Sequence, residues 1–224
     1  MLSQEIDERF LHYDIPTDLP LVVQVSRFDK WKDPQGVIDA FRMARKEVDC
    51  TLVLAGNVAT DEEGQEVHNS LCKCAEERIR ILLVQDSALI NALQRRAAVV
   101  LQKSTREGFG LTVAEAMWKA TPVIGGNVGG IRHQIEDGVN GFLVDGIEQA
   151  AARIVQVLKD HALRERLGRR AKQTVGERFL MTRLMEDWLD IIGSLKVDYR
   201  RRSIDTGHRA RLRAGPADRR HHPG

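Results

Sequence analysis

The sequence predicts an α/β protein built around a doubly wound parallel sheet. Three observations carry that expectation. Short apolar runs recur between residues 21 and 144, and turn residues bound them. Between them lie stretches whose apolar residues repeat at helical spacing. From residue 21 to 125 strand and helix signals alternate, an order that puts parallel strands in one sheet with helices on its faces.

Each element has its own reason. Leu21–Val25 is an apolar run suited to a buried parallel strand. Asp33 and Pro34 read as the N-cap and first residue of a helix, with Val37, Ile38, Phe41 and Ala44 on one face. Thr51–Ala55 is the second strand, ended by Gly56, and residues 61–77 form a very polar helix. Ile79–Val84 is the third strand, and Ser87 caps a helix that turns Leu89, Ile90, Leu93 and Ala97 inward. Ala98–Leu101, Pro122–Ile124 and Phe142–Val144 complete a Rossmann-like sheet, with a helix over Leu111–Lys119. Residues 147–160, 161–175 and 177–194 then read as three consecutive helices.

Composition narrows the class. The chain has 224 residues, 42% hydrophobic and 29% charged, values expected of a soluble globular protein of one or two domains. No stretch approaches the roughly 20 apolar residues a membrane span needs, and the start MLSQEIDERF lacks a signal-peptide core, so the expected location is the cytoplasm with no membrane partner. Cys50, Cys72 and Cys74 lack zinc-type spacing and read as free thiols. The net charge of +2 conceals an asymmetry. Residues 197–224 hold eight Arg against three Asp, a net of +5, which leaves −3 for the rest. That Arg-rich tail, residues 196–224, has too few large apolar residues to bury a core and is expected to be disordered. No Phe, Trp or Tyr lies among its arginines, between Arg200 and Arg220, to stack on bases, so nucleic acid is not the expected partner.

The chemistry concentrates where strands end. Leu21–Val25 delivers Arg27 and Lys32 to the ligand-binding edge of the sheet, where an anion docks. The helix that starts at Leu111 points its amino end there too, so the amides of Gly110, Leu111 and Thr112 suit a phosphate. Gly125-Gly126 and Gly129-Gly130 allow a further close backbone approach. Between strand and helix lies Arg106–Glu115, REGFGLTVAE, with carboxylates at Glu107 and Glu115. A carboxylate repels a diphosphate but accepts hydrogen bonds from vicinal hydroxyls. A ligand with hydroxyls at both ends and phosphates between them satisfies every group, and a nucleotide sugar is such a ligand. Singly, each feature has a plainer reading. Glu115 fits a surface helix, Glu107 fits a helix dipole, glycine pairs mark turns, and His133 is read as packing rather than as a base. Their joint order on this topology is what favours the site.

These segments resemble the C-terminal half of retaining glycosyltransferases of the GT-B fold, family 4. The signature there is Glu, seven residues, then Glu, as at Glu107 and Glu115. QVSRFDKWK, REGFGLTVAEAMWK, PVIGGNVGGI and DGVNGFLV are most similar to a branch that joins nucleotide-activated glucose to a second glucose. The resemblance runs from about Leu19 to Leu195. It implies that Arg27 and Lys32 hold the donor diphosphate, that Glu107 contacts hydroxyls of the donor sugar, and that Glu115 binds ribose. It implies too that Phe109, Gly110, Leu111 and Thr112 approach the donor through backbone amides, and that Val84 and Gln85 lie near the nucleobase. Arg27, Lys32 and Glu107 are thereby the expected catalytic residues.

The implied reaction retains anomeric configuration and needs neither metal nor other cofactor. Two departures stand out: Asp33 follows Lys32 where the family usually has glycine, and Gln134 stands where it often has glutamate. The implied organisation is an interlobe linker over residues 1–20, a nucleotide-sugar-binding domain over 21–175 and a crossing helix over 176–195. Phe179, Leu184, Trp188 and Ile192 of that helix are expected to be partly unsheltered. On this resemblance an N-terminal lobe is expected to be missing from the sequence, with the sugar acceptor in that lobe or in a partner chain, and a dimer is a further expected arrangement. A nucleotide-sugar-binding module without catalysis and half of a retaining trehalose-type phosphorylase stay open as alternatives.

Overall fold

The structure is a computed structural model that describes residues 1–57 and 62–195. The described residues up to Phe179 form one compact unit, and those from Leu180 to Leu195 belong to a second. The expected Arg-rich tail lies outside the described residues.

The first unit is the expected α/β fold. In chain order come α1 (Ser3–His12), β1 (Leu21–Val25), a 3-10 turn (Lys30–Lys32), α2 (Pro34–Ala44), β2 (Thr51–Gly56), α3 (Glu62–Cys72) and β3 (Ile79–Leu83). Then follow α4 (Ser87–Arg96), β4 (Val99–Gln102), α5 (Leu111–Trp118), β5 (Val123–Gly126), α6 (Ile131–Gln134), β6 (Phe142–Val144), α7 (Ile147–Lys159) and α8 (His161–Arg178). The six strands make one sheet in the order β3-β2-β1-β4-β5-β6, and every neighbouring pair is parallel. Every residue of β1, β2, β4 and β5 is buried. That pattern requires helices on both faces, because a solvated face would show alternation. The core accordingly joins α2 residues Val37, Ile38 and Phe41 to β2 residues Leu52 and Leu54 and to α7 residues Ala150, Ile154 and Val157.

The strand order reverses direction between β1 and β4. Their carboxyl ends diverge into the loops that follow, which is where open α/β sheets bind ligands. Val22 pairs with Val99 and Val23 with Val100, so the residues just past each strand, Ser26–Lys32 and Lys103–Gly110, begin side by side.

Several local expectations are corrected. The helix expected to be capped by Ser87 is capped by Asp86, whose Oδ1 accepts from the Ala88 and Leu89 amides at 2.9 and 3.1 Å. The carboxylate has two acceptor oxygens and spares one for other partners, which a hydroxyl does less well. The strand expected at Pro122–Ile124 is shifted to Val123–Gly126, since proline has no amide to give the ladder. The polar helix expected over 61–77 ends at Cys72. Residues 1–20, expected as a linker, contain α1, which buries Ile6 and Phe10 and packs on α4. Gly176 does not separate two helices. It sits 3.6 Å from Trp118, measured from an added Cβ, and α8 runs past it because Val175 is buried and the Phe179 amide closes onto the Val175 carbonyl.

In the second unit, residues 181–195 are helical, and Leu184, Trp188 and Ile192 are 49%, 56% and 44% exposed. All three cysteines are free, and burial pushes the Cys50 thiol up to about 11. Among the described residues, no helix is long and apolar enough to cross a membrane.

Candidate nucleotide-sugar site

The loop after β1 is shaped by two aspartates. Asp29 is buried, and its Oδ1 accepts from the Trp31 and Lys32 amides at 3.0 and 3.1 Å, which winds the 3-10 turn and aims Lys32. Its other oxygen lies 3.1 Å from the Arg27 guanidinium, whose side chain is 65% exposed. Asp33 sits in the left-handed region at φ +46 and caps α2 through the Gly36 amide at 3.1 Å. The backbone there favours glycine, which explains the family's usual residue. Asp33 tolerates the strain because its carboxylate also pairs with the largely buried Lys103 at the end of β4.

The loop after β4 meets this one directly. The Thr105 amide donates to the Trp31 carbonyl at 2.8 Å, and the Arg106 guanidinium stacks over the Trp31 ring at 4.2 Å. Lys32 Nζ donates to Glu107 Oε2 at 2.5 Å, with side chains only 16% and 12% exposed, and Ser104 Oγ approaches the same oxygen at 3.4 Å. Arg27, Asp29, Trp31, Lys32, Arg106, Glu107 and Gly108 surround a cleft of about 380 Å³. Three cations face two carboxylates there, leaving an excess positive charge at the lip.

The glycines hold the second layer. Gly110 has φ +86 and ends the loop just before α5. Gly129 has φ +46, and a Cβ on it would lie 1.8 Å from the Glu107 carbonyl oxygen. The GGNVGG loop therefore lies backbone to backbone on the REGFG loop, and the Gly130 amide donates to the Gly108 carbonyl at 2.8 Å. Gln134 is buried, and its Nε2 donates to the Phe109 carbonyl and, at 3.4 Å, to the Gly110 carbonyl. An ionised glutamate there could not donate these bonds. With those carbonyls turned aside, the amides of Gly110, Leu111 and Thr112 find no backbone acceptor among the described residues and stand at the positive end of α5. The Phe109 ring packs edge-on against Phe179, 5.8 Å between centroids.

A second cleft, of about 400 Å³, adjoins the first through Arg27. Its lining includes Ser26, Gly56, Asn57, Val84, Gln85, Asp86 and Ile90. Asp86 Oδ2 is held by Arg9 at 2.7 Å and by the Tyr13 hydroxyl at 3.1 Å. The Leu89 amide first, then Tyr13 and the Ala88 amide, hold its carboxyl below the usual range. Residues expected to be a linker thus help to build this wall. Two other cavities, of about 410 and 510 Å³, lie elsewhere, one at the amino ends of the strands and one beyond β6.

The structure therefore gathers Arg27, Lys32 and Glu107 around one cleft and Arg27, Val84 and Gln85 around the next. Glu115 is not in either lining. It lies on α5, where its Oε2 accepts from Gln94 Nε2 at 3.1 Å. Sequence reasoning passed over Asp29, Arg106, Asp86 and Gln94. Arg106 adjoins the recognised glutamate and could have been found; the other three show their roles only through tertiary contacts.

Comparison with known proteins decides the family. Residues 5–174 match the family described as glycosyl transferases group 1. The chain belongs to that family. It is 43% identical over 190 residues to the trehalose synthase of Rubrobacter xylanophilus, covering 82% of this chain and 45% of that protein. With the trehalose synthase of Pyrococcus horikoshii the identity is 40% over 190 residues, 82% of this chain and 46% of the relative. The glycosyl transferase group 1 chain thus spans about half the length of these curated relatives. Its fold is similar to that of Anabaena Alr3699/HepE, solved in complex with UDP and glucose. The TM-score is 0.74 at 23% identity, over 87% of this chain and 53% of that one.

Proposed function

We propose that this chain is the donor-binding, C-terminal half of a retaining glycosyltransferase of family 4 with trehalose-synthase chemistry. In that reading it binds ADP- or UDP-glucose, and glucose passes to a second glucose held by residues outside this chain. One observation carries the reading: Arg27, Lys32 and Glu107 line one cleft at the reversal point of the sheet, and Gly110, whose amide is open with those of Leu111 and Thr112, lies against the Glu107 side chain. The trehalose synthase relatives support the choice of sugar.

Each group then has a task. As the bond from the anomeric carbon to the diphosphate breaks, positive charge grows on the sugar and negative charge on the departing oxygens. Arg27, Lys32 and the α5 amides stabilise that negative charge, and they are in place beforehand because Asp29, Gln134 and Gly110 fix their carriers. Glu107 takes hydroxyls of the hexose, and its pairing with Lys32 keeps its carboxylate neutralised beside a diphosphate. Glu115 takes the ribose hydroxyls, and Val84 and Gln85 flank the base. No step requires a metal.

Arg27→Ala tests this reading. Arg27 is mostly solvated, and its exposed ion pair contributes at most about 1 kcal/mol to stability. The variant is expected to fold normally while losing roughly 100-fold in affinity for the nucleotide sugar. Calorimetric titration with ADP-, UDP- and GDP-glucose measures it. No binding of any of the three to the unmodified chain, or an unchanged dissociation constant in Arg27→Ala, would falsify the proposal.

A further inference from the structure

We infer that Gln94 is a positioning residue for Glu115, a neutral bridge that keeps this carboxylate apart from a neighbouring lysine so that it can receive a ligand's hydroxyls. This inference rests on the ribose role proposed for Glu115. Gln94 lies on α4 and is fully buried. Its side-chain amide is used at both ends: Nε2 donates to Glu115 Oε2 at 3.1 Å, and Oε1 accepts from Lys119 Nζ at 2.7 Å. Thr121 Oγ1 donates to the Gln94 backbone carbonyl at 2.6 Å, fixing the residue that carries the amide.

The chemistry allows only one orientation of that amide. An ammonium group has donors alone and an ionised carboxylate has acceptors alone, so the carbonyl end must face Lys119 and the amino end Glu115. Lys119 stands one turn beyond Glu115 on the same side of the helix and also approaches the Glu115 carbonyl at 3.4 Å. Burial pushes the Lys119 ammonium below its usual range while Glu115 pulls it back, so the lysine is short of counter-charge where it sits. Without the amide between them, Lys119 keeps only the Glu115 carbonyl and is drawn to the Glu115 carboxylate, the negative charge that acts on it. The bridge therefore occupies one carboxylate oxygen weakly, holds the χ angles of Glu115, and leaves Oε1 without a hydrogen bond among the described residues.

Gln94→Met tests it, because the two side chains are close in length and the new one offers neither donor nor acceptor. The readout is a ratio: the affinity of ADP, UDP and GDP divided by that of each 2′,3′-dideoxy counterpart, titrated calorimetrically on the full chain. The unmodified chain is expected to favour the ribose form by about 10-fold, as hydrogen bonds to a charged group do. In Gln94→Met that ratio is expected to fall to about 2 or less while the affinity for the dideoxy forms holds. Lys119→Met removes the anchor of the amide instead of the amide, at a half-buried position, and is expected to reduce the ratio about threefold. If both variants keep the full ratio, or if both forms weaken equally, Gln94 does not position Glu115 and the inference is overturned. If the unmodified chain shows no preference for ribose hydroxyls, the role proposed for Glu115 fails first and takes this inference with it.

Discussion

Glu107 and Glu115 stand eight residues apart in one segment and are held in opposite ways. Glu107 lies on a loop, almost enclosed, against the ammonium of Lys32 at 2.5 Å. Glu115 lies on α5 against the neutral amide of Gln94 at 3.1 Å, with Lys119 kept one group further away. The ion pair ties two loops from different strands together, so its loss costs stability as well as charge. The amide bridge joins two packed helices, so its loss changes where a carboxylate points and little else. One end of the motif is thus built into the loop structure, and the other is presented by a rigid helix.

The sharpest way to break this contrast is Gly129→Ala. At φ +46, with the Glu107 carbonyl 1.8 Å from the added Cβ, alanine must push the two glycine loops apart. We expect a loss of roughly 3 kcal/mol or more in denaturant unfolding, with nucleotide-sugar binding lost as well. A variant as stable as the parent would show that the REGFG loop does not depend on that contact. Next comes Lys32→Ala, which leaves the Glu107 carboxylate enclosed without its cation. About 2 kcal/mol of stability and roughly 100-fold in donor affinity are expected to disappear. Restoring stability with Lys32→Ala and Glu107→Ala together would confirm that the penalty is the unpaired charge.

Glu107→Gln is milder, since the amide oxygen still accepts from Lys32. It is expected to reduce the affinity advantage of a nucleotide glucose over its nucleoside diphosphate by about 10-fold, with stability changed by less than about 1 kcal/mol. Glu115→Gln is expected to be smallest, because Gln94 can still donate to the new amide oxygen. Stability should stay within about 0.5 kcal/mol, and the loss should be confined to the preference for ribose hydroxyls, read by the same dideoxy comparison. Equal behaviour of the two glutamine variants would erase the contrast between the two sites.

Much of this was legible in the sequence, for identifiable reasons. The strands at Leu21–Val25 and Thr51–Gly56 are apolar runs because both faces of a parallel sheet are covered, and such runs stand out. Asp33-Pro34 announced its helix through local cap chemistry. Arg27, Lys32 and Glu107 could be brought to one edge because the topology rule places strand ends together. What stayed hidden depends on partners far along the chain. Lys32 meets Glu107 across 75 residues, and Asp86 meets Arg9 across 77. The helix Ser3–His12 turns only Ile6 and Phe10 inward, too sparse a pattern to distinguish from a linker. Gln94 reads as an ordinary helical glutamine until the fold buries it between a carboxylate and an ammonium.

The central claim is that the open amides before α5 receive the diphosphate of a nucleotide sugar. Hydrogen exchange of residues 110–112 with and without saturating ADP-, UDP- or GDP-glucose tests it most directly. The account predicts that one of these ligands slows exchange at Gly110, Leu111 and Thr112 by at least about 10-fold, and that Arg27→Ala removes the protection. Binding that protects other segments while these three amides exchange as before would contradict it.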